Sequence, residues 1–111
     1  MKGTQLGELE EIILLTVGAL YDEAYGIAIM HEVAERTGRK ITISTVHAVL
    51  KRLEEKGFCD SRYDGATPER GGRRKHLFRV TAAGEKVLNQ SREIRNGLWS
   101  AIPEIAFNRG K

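Results

Sequence analysis

The stretch that most constrains this chain is ITISTVHAVLKRLEEKGF, residues 41–58, because both ends of one short helix are written into it. Thr42 is a good N-cap, since its hydroxyl can accept the N–H of Thr45. Ile41 before the cap and Val46 after it have the spacing of a hydrophobic staple. Gly57 stands where a left-handed C′ residue belongs, which lets Phe58 fold back on Leu53. Between the caps, Val46, Val49, Leu50 and Leu53 recur at i, i+3, i+4 and i+7 and make one apolar face. The opposite face carries Ser44, Thr45, His47, Ala48, Lys51, Arg52 and Glu55. Short donors at the start and cations further along suit a helix that enters a major groove. The same pattern also fits an ordinary amphipathic helix with a solvated polar face, so the rest of the chain has to decide.

Charge supplies the first discrimination. The 111 residues hold 18 Lys and Arg against 15 Asp and Glu, a net of only +3. The distribution is far less even than that total. Acids crowd the first third, at Glu8, Glu10, Glu11, Asp22, Glu23, Glu32 and Glu35. Residues 36–53 then contain Arg36, Arg39, Lys40, Lys51 and Arg52 and no acid, and residues 70–84 contain Arg70, Arg73, Arg74, Lys75 and Arg79 and no acid. Clustering of this kind favours a polyanionic partner.

Periodicity orders the remaining elements. Residues 7–20 read as a first helix with the stripe Leu9, Ile12, Ile13, Thr16, Val17, Leu20. Leu14, Leu15 and Ala19 fall outside that stripe, so this helix is apolar on more than one face. It is therefore either a central core helix or one that also meets a second subunit. Residues 25–37 read as a second helix closed by Gly38, with Gly26, Ile29, Met30 and Val33 inward. Gly26 costs helix stability, about 1 kcal/mol against Ala; close approach of another helix would explain it. A helix followed within a few residues by the capped basic helix is the helix-turn-helix arrangement.

Residues 58–63 and Lys75–Val80 read as strands, the second with His76, Phe78 and Val80 on one face and Leu77 and Arg79 on the other. Between them DGATPERGGRR, with Pro68 and the Gly71-Gly72 pair, is a loop. A long basic hairpin tip after a recognition helix is a wing whose arginines can reach phosphates or a narrow minor groove; the alternative is a merely solvated loop. Thr81 caps a last helix over residues 82–101. Its apolar residues Val87, Ile94, Leu98, Trp99 and, beyond it, Ile102 and Ile105 exceed what one small domain can bury, so pairing with a second subunit is expected. Pro103 should stop the helix near the residue before it, and the residues from Phe107 on read as a frayed tail.

The fold class predicted is therefore mainly α with a two-stranded β wing (α+β): a winged helix-turn-helix over residues 1–81 and a C-terminal dimerisation helix with its tail over 82–111. The candidate DNA contacts are Thr42, Ser44, Thr45 and His47 at the start of the recognition helix, Lys51 and Arg52 beside the phosphate backbone, and Arg70, Arg73, Arg74 and Lys75 in the wing. The candidate dimer interface is Leu14, Ile94, Leu98, Trp99 and Ile102.

Several classes are disfavoured. There is no nucleophile with a neighbouring base motif, no glycine-rich phosphate loop and no HExxH, so an enzyme is not expected. His31, His47, His76 and Cys59 form no spaced ligand pair, and neither a metal nor a cofactor is expected. The apolar run over residues 12–20 is too short to span a bilayer, so no membrane partner is expected. Cys59 is the only cysteine and reads as a small buried apolar residue. With no signal-peptide pattern at the start, a reducing cytoplasm is the expected location. A winged helix that binds protein rather than DNA is the competing class.

LGELEEIILL, AYGIAI, STVHAVLKRLEEKGF, TPERGGRRK and FRVTAAGEKVL, together spanning residues 6–88, resemble the PadR family of bacterial transcriptional regulators. The length and single C-terminal helix are similar to its small subgroup. The resemblance implies a homodimer that binds palindromic operator DNA and represses. It also implies a phosphate contact for Tyr25, for which a half-buried packing tyrosine is the alternative. In some small members the dimer interface encloses a pocket for flat aromatic compounds; Trp99 would line it here, or else be a packed interface residue. Many members carry Tyr-Pro where this chain has His47-Ala48, so a family operator sequence does not carry over.

Overall fold

The capped helix forms as its sequence dictates. In the computed structural model, which describes residues 5–64 and 75–107, the Thr45 N–H donates to Thr42 Oγ1 at 3.1 Å. At the other end Gly57 takes a φ of +81°, a conformation that an L side chain strains. The Gly57 N–H then reaches the Glu54 carbonyl and the Phe58 N–H the Leu53 carbonyl, both at 2.9 Å, which is the Schellman closure. Val46, Val49, Leu50 and Leu53 are its buried face.

The element order is α1 (Glu8–Leu20), a 3-10 turn (Tyr21–Glu23), α2 (Gly26–Thr37), α3 (Ile43–Glu55), β1 (Cys59–Asp64), β2 (Lys75–Val80), α4 (Ala82–Ala101) and a second 3-10 turn (Glu104–Phe107). The strands pair antiparallel, with Cys59 opposite Val80, Ser61 opposite Phe78 and Tyr63 opposite His76. The molecule is a winged helix. Ile13, Leu14, Val17, Ile29 and Val33 join the α3 face and Phe58, Cys59, Leu77 and Phe78 in one core.

Two sequence expectations need correction. Leu14 belongs to no surface: it is 0% exposed in the core. α1 is packed against α2, α3, β2 and α4, which takes Leu14 into the core and leaves Leu15 and Ala19 of its second apolar face exposed. Leu15, 51% exposed, is the α1 leucine left outside. Leu77, on the other face of the sheet from Phe78, is buried as well, because the chain before α2 covers that face. Tyr25 bridges to Leu77, and the Phe78 N–H donates to the Ala24 carbonyl at 3.0 Å. Finally, Phe107 is not frayed; it closes a 3-10 turn and its ring lies 6.3 Å from that of Trp99. Residues 108–111 lie outside the described residues.

The joint between wing and last helix is tight. Thr81 Oγ1 accepts the Gly84 N–H at 3.0 Å and donates to the Gly57 carbonyl at 2.7 Å, while the Thr81 N–H donates to the Phe58 carbonyl at 3.1 Å. A Cβ on Gly84 would stand 2.1 Å from that same carbonyl oxygen, so only glycine lets the first turn of α4 rest there. From this joint α4 runs outward. The radius of gyration is 17.3 Å, against about 13 Å for a globule of this length. α4 ends at Ala101, with Ile102 extended before Pro103.

Candidate nucleic-acid interface

Position along α3 divides its outer surface into a ridge and two flanks. Ser44, Ala48, Lys51 and Glu55, spaced i, i+4, i+7 and i+11, are all exposed and form the ridge opposite the core. At its N-terminal end Thr42 serves as the cap. Its hydroxyl lies 3.1 Å from that of Ser44 and 3.0 Å from that of Thr45, so three hydroxyls gather where the helix begins.

The His47 flank faces the start of α2 and the base of the wing. Tyr25, Gly26, Ile27, Ala28, His31, His47, Lys75 and His76 line a cleft of about 550 Å³. Tyr25, His47 and Lys75, chosen from three separate segments of sequence, thus converge on one concavity. Lys75 Nζ lies 5.0 Å above the Tyr25 ring, a cation–π distance. Gly26 lies against the His47 side chain rather than against the α3 backbone, so the close helix approach suggested by its cost in helix propensity is instead a side-chain approach. A Cβ there would be 2.9 Å from His47 Cε1.

Arg52 is not in this cleft. Five residues beyond His47, it points roughly 140° further around the helix, onto the other flank, and its Nε is 3.3 Å from Glu10 Oε2. Glu10 is 6% exposed and is held on all sides: Lys56 Nζ donates at 2.8 Å and the Gly7 N–H at 2.8 Å. Burial by itself would raise the Glu10 carboxyl. The hydrogen bonds from Lys56 and Gly7, the Lys56 charge and the Arg52 hydrogen bond together outweigh it and hold the group below the ordinary carboxylate value. Arg52 therefore helps fasten α3 to α1.

A polar chain that sequence reading missed fastens the wing to α3. The Ser61 hydroxyl donates to Glu54 Oε2 at 2.6 Å. Its one proton is thereby used, so His76 Nε2, 2.7 Å from the same oxygen, must be the donor. Tyr63 stacks on the His76 ring at 4.3 Å and 15°. The signal lay in strand register: Ser61 and His76 are diagonal neighbours only once Tyr63 is set opposite His76. Arg79 faces outward beside Asp60, at 3.4 Å. The wing-tip candidates Arg70, Arg73 and Arg74 lie outside the described residues.

The second candidate surface is on α4. Ile94 and Leu98 are each 65% exposed and Trp99 66%, with Ile102 less so. Between α1 and α4 runs an open groove of about 960 Å³, lined by Leu15, Arg92, Arg95, Asn96 and Trp99 among others. Glu11 ties its walls together, accepting from Ser91 at 3.0 Å and from Arg95 Nη2 at 3.0 Å. Cys59 is buried, and burial, with Glu54 and Asp60 nearby, pushes its thiol up to about 12. Among the described residues no three His, Cys, Asp or Glu side chains group to hold a metal ion, and no helix is long and apolar enough to cross a membrane.

Residues 13–90 match the transcriptional regulator PadR-like family. Among solved structures, the chain is similar to a PadR family transcriptional regulator from Eggerthella lenta DSM 2243, with 25% identity over 90% of this chain and 87% of that one and a TM-score of 0.67. It is similar to a PadR family transcription regulator from Clostridium difficile R20291, with 29% identity, 80% and 91% coverage and a TM-score of 0.62. It shares its fold with Bacillus subtilis PadR, which was solved in complex with operator DNA, at 23% identity, 87% and 51% coverage and a TM-score of 0.61. No curated protein matches the chain.

Proposed function

Because the chain belongs to the PadR-like family of transcriptional regulators, we propose that it binds double-stranded operator DNA sequence-specifically, as a homodimer, and represses transcription. The observation that carries this reading is the convergence of Tyr25, His47 and Lys75 on one cleft beside the exposed α3 ridge. A duplex laid along α3 meets Ser44, Thr45 and His47 at its base edges and Lys51 at its backbone. Tyr25 and Lys75 then take phosphates on the wing side, and Arg70, Arg73 and Arg74 add cations for the backbone. Base edges confer sequence preference, while the cations add affinity through counterion release.

Residues 1–81 are the DNA-binding part in this reading, and residues 82–111 pair two copies. The uncovered Ile94, Leu98, Trp99 and Ile102 side chains support pairing, since a run of large exposed apolar residues is unusual on a monomer. The α1–α4 groove, with Trp99 on its wall, is the place for a flat aromatic effector.

Fluorescence anisotropy on duplexes from the protein's own promoter region tests the proposal. The expected result is binding tighter to one segment than to random duplex, weakening steeply with salt, by a dimer in sedimentation. Equal binding to all duplexes, or none, refutes it and would identify a protein-binding winged helix instead. Quenching of Trp99 fluorescence by flat aromatic compounds is expected if the groove takes an effector; an unchanged signal counts against that role.

A further inference from the structure

Gly26 sits on the floor of the cleft, and neither backbone nor core accounts for it. Its φ is not among the positive values, which among the described residues belong to Gly38, Gly57 and Tyr21. A Cβ at Gly26 would meet His47 Cε1 at 2.9 Å and Nε2 at 3.1 Å; the next nearest atom, Ile43 Cδ1, would be at an ordinary 3.5 Å. The space an alanine would need is thus taken by one imidazole edge, at the far end of an otherwise exposed side chain.

We propose that Gly26 is a positioning residue for His47: by seating the Cε1–Nε2 edge of the ring against α2, it fixes which edge faces the DNA and hence the preferred base pair at that point. This rests on the DNA-binding reading above. The two ring nitrogens differ, since in neutral imidazole one donates and the other accepts. Base pairs in the major groove are distinguished by their donor and acceptor patterns. A ring turned by a neighbouring methyl group therefore presents a different pattern while the helix stays where it is. Alanine is also the better helix former, so the substitution separates ring orientation from folding.

The test uses four full-length proteins: wild type, Gly26→Ala, His47→Ala and the double variant. Each selects duplexes from a randomised pool, and anisotropy then measures the enriched duplexes and their single-base variants. Gly26→Ala is expected to change the preferred base at one position of each half-site, the position at which His47→Ala loses its preference. The discrimination there should shift by about tenfold, with an unchanged salt slope and a melting temperature no lower than wild type. In the His47→Ala background Gly26→Ala should add nothing. An unchanged motif overturns the proposal, as does a uniform loss on all duplexes or an equal loss in both backgrounds. If wild type enriches no motif, the DNA-binding reading itself fails and the Gly26 role falls with it.

Discussion

The winged head and the α4 arm contain similar residues and treat them oppositely. In the head, Leu14 on α1 is 0% exposed; on the arm, Leu98 is 65% exposed. Both sit on amphipathic helices. The difference is the number of neighbours the topology supplies. α1 has α2, α3, β2 and α4 around it, whereas α4 packs chiefly against α1 and β2. A folded head is therefore complete within one chain, while the arm still has apolar surface to cover.

The largest effect should separate the two regions directly. Leu14→Ala is expected to cost about 2–5 kcal/mol in urea unfolding, through lost burial and the cavity left behind. Leu98→Ala should leave the dilute protein's stability within about 0.5 kcal/mol and weaken self-association instead, seen in sedimentation. Equal costs at both sites would abolish the contrast. Next comes the joint. Gly84→Ala is expected to cost about 3 kcal/mol, because the Phe58 carbonyl 2.1 Å away is backbone and has no rotamer to escape into. A neutral result would show that the arm is free to tilt.

The smallest effect belongs to the head's own clasp. Glu10→Gln is expected to cost about 2 kcal/mol near neutral pH, the range for hydrogen bonds to charged groups. The Glu10 carboxyl is held below its ordinary value of 4.5. Its contribution is thus complete above the unfolded value near 4.5 and is lost as the pH falls through the lower folded value. Unfolding followed from pH 7 downward should show a shallower acid limb in Glu10→Gln than in wild type; parallel curves would place the ionic anchor elsewhere.

Local signals were the readable ones. Thr42, Gly57 and Thr81 each satisfy backbone groups within a few residues, so their roles follow from spacing alone. The two strands and the stop before Pro103 were readable for the same reason. What escaped depends on partners distant in sequence. Arg52 has the look of a DNA-facing cation until Glu10 is brought beside it. Leu14 looks surplus until α1 turns out to be surrounded. Gly84 carries no local mark at all, because what demands it is a carbonyl 26 residues earlier. In the candidate interface, His47 was evident from its helix face, but that it lines one cleft with Lys75 required the strand placement that only the fold supplies. The Glu54–Ser61–His76 chain was hidden for that reason too.

The Phe58 carbonyl receives Thr81 and leaves no room beyond hydrogen at residue 84, so it acts as a stop against which the arm is set at one angle. In a paired molecule that stop becomes a ruler. Two arms clasped together would hold their reading helices a set distance apart, and a target whose halves were moved by a single base pair, which also rotates one half about the duplex axis, would be out of reach of one of them.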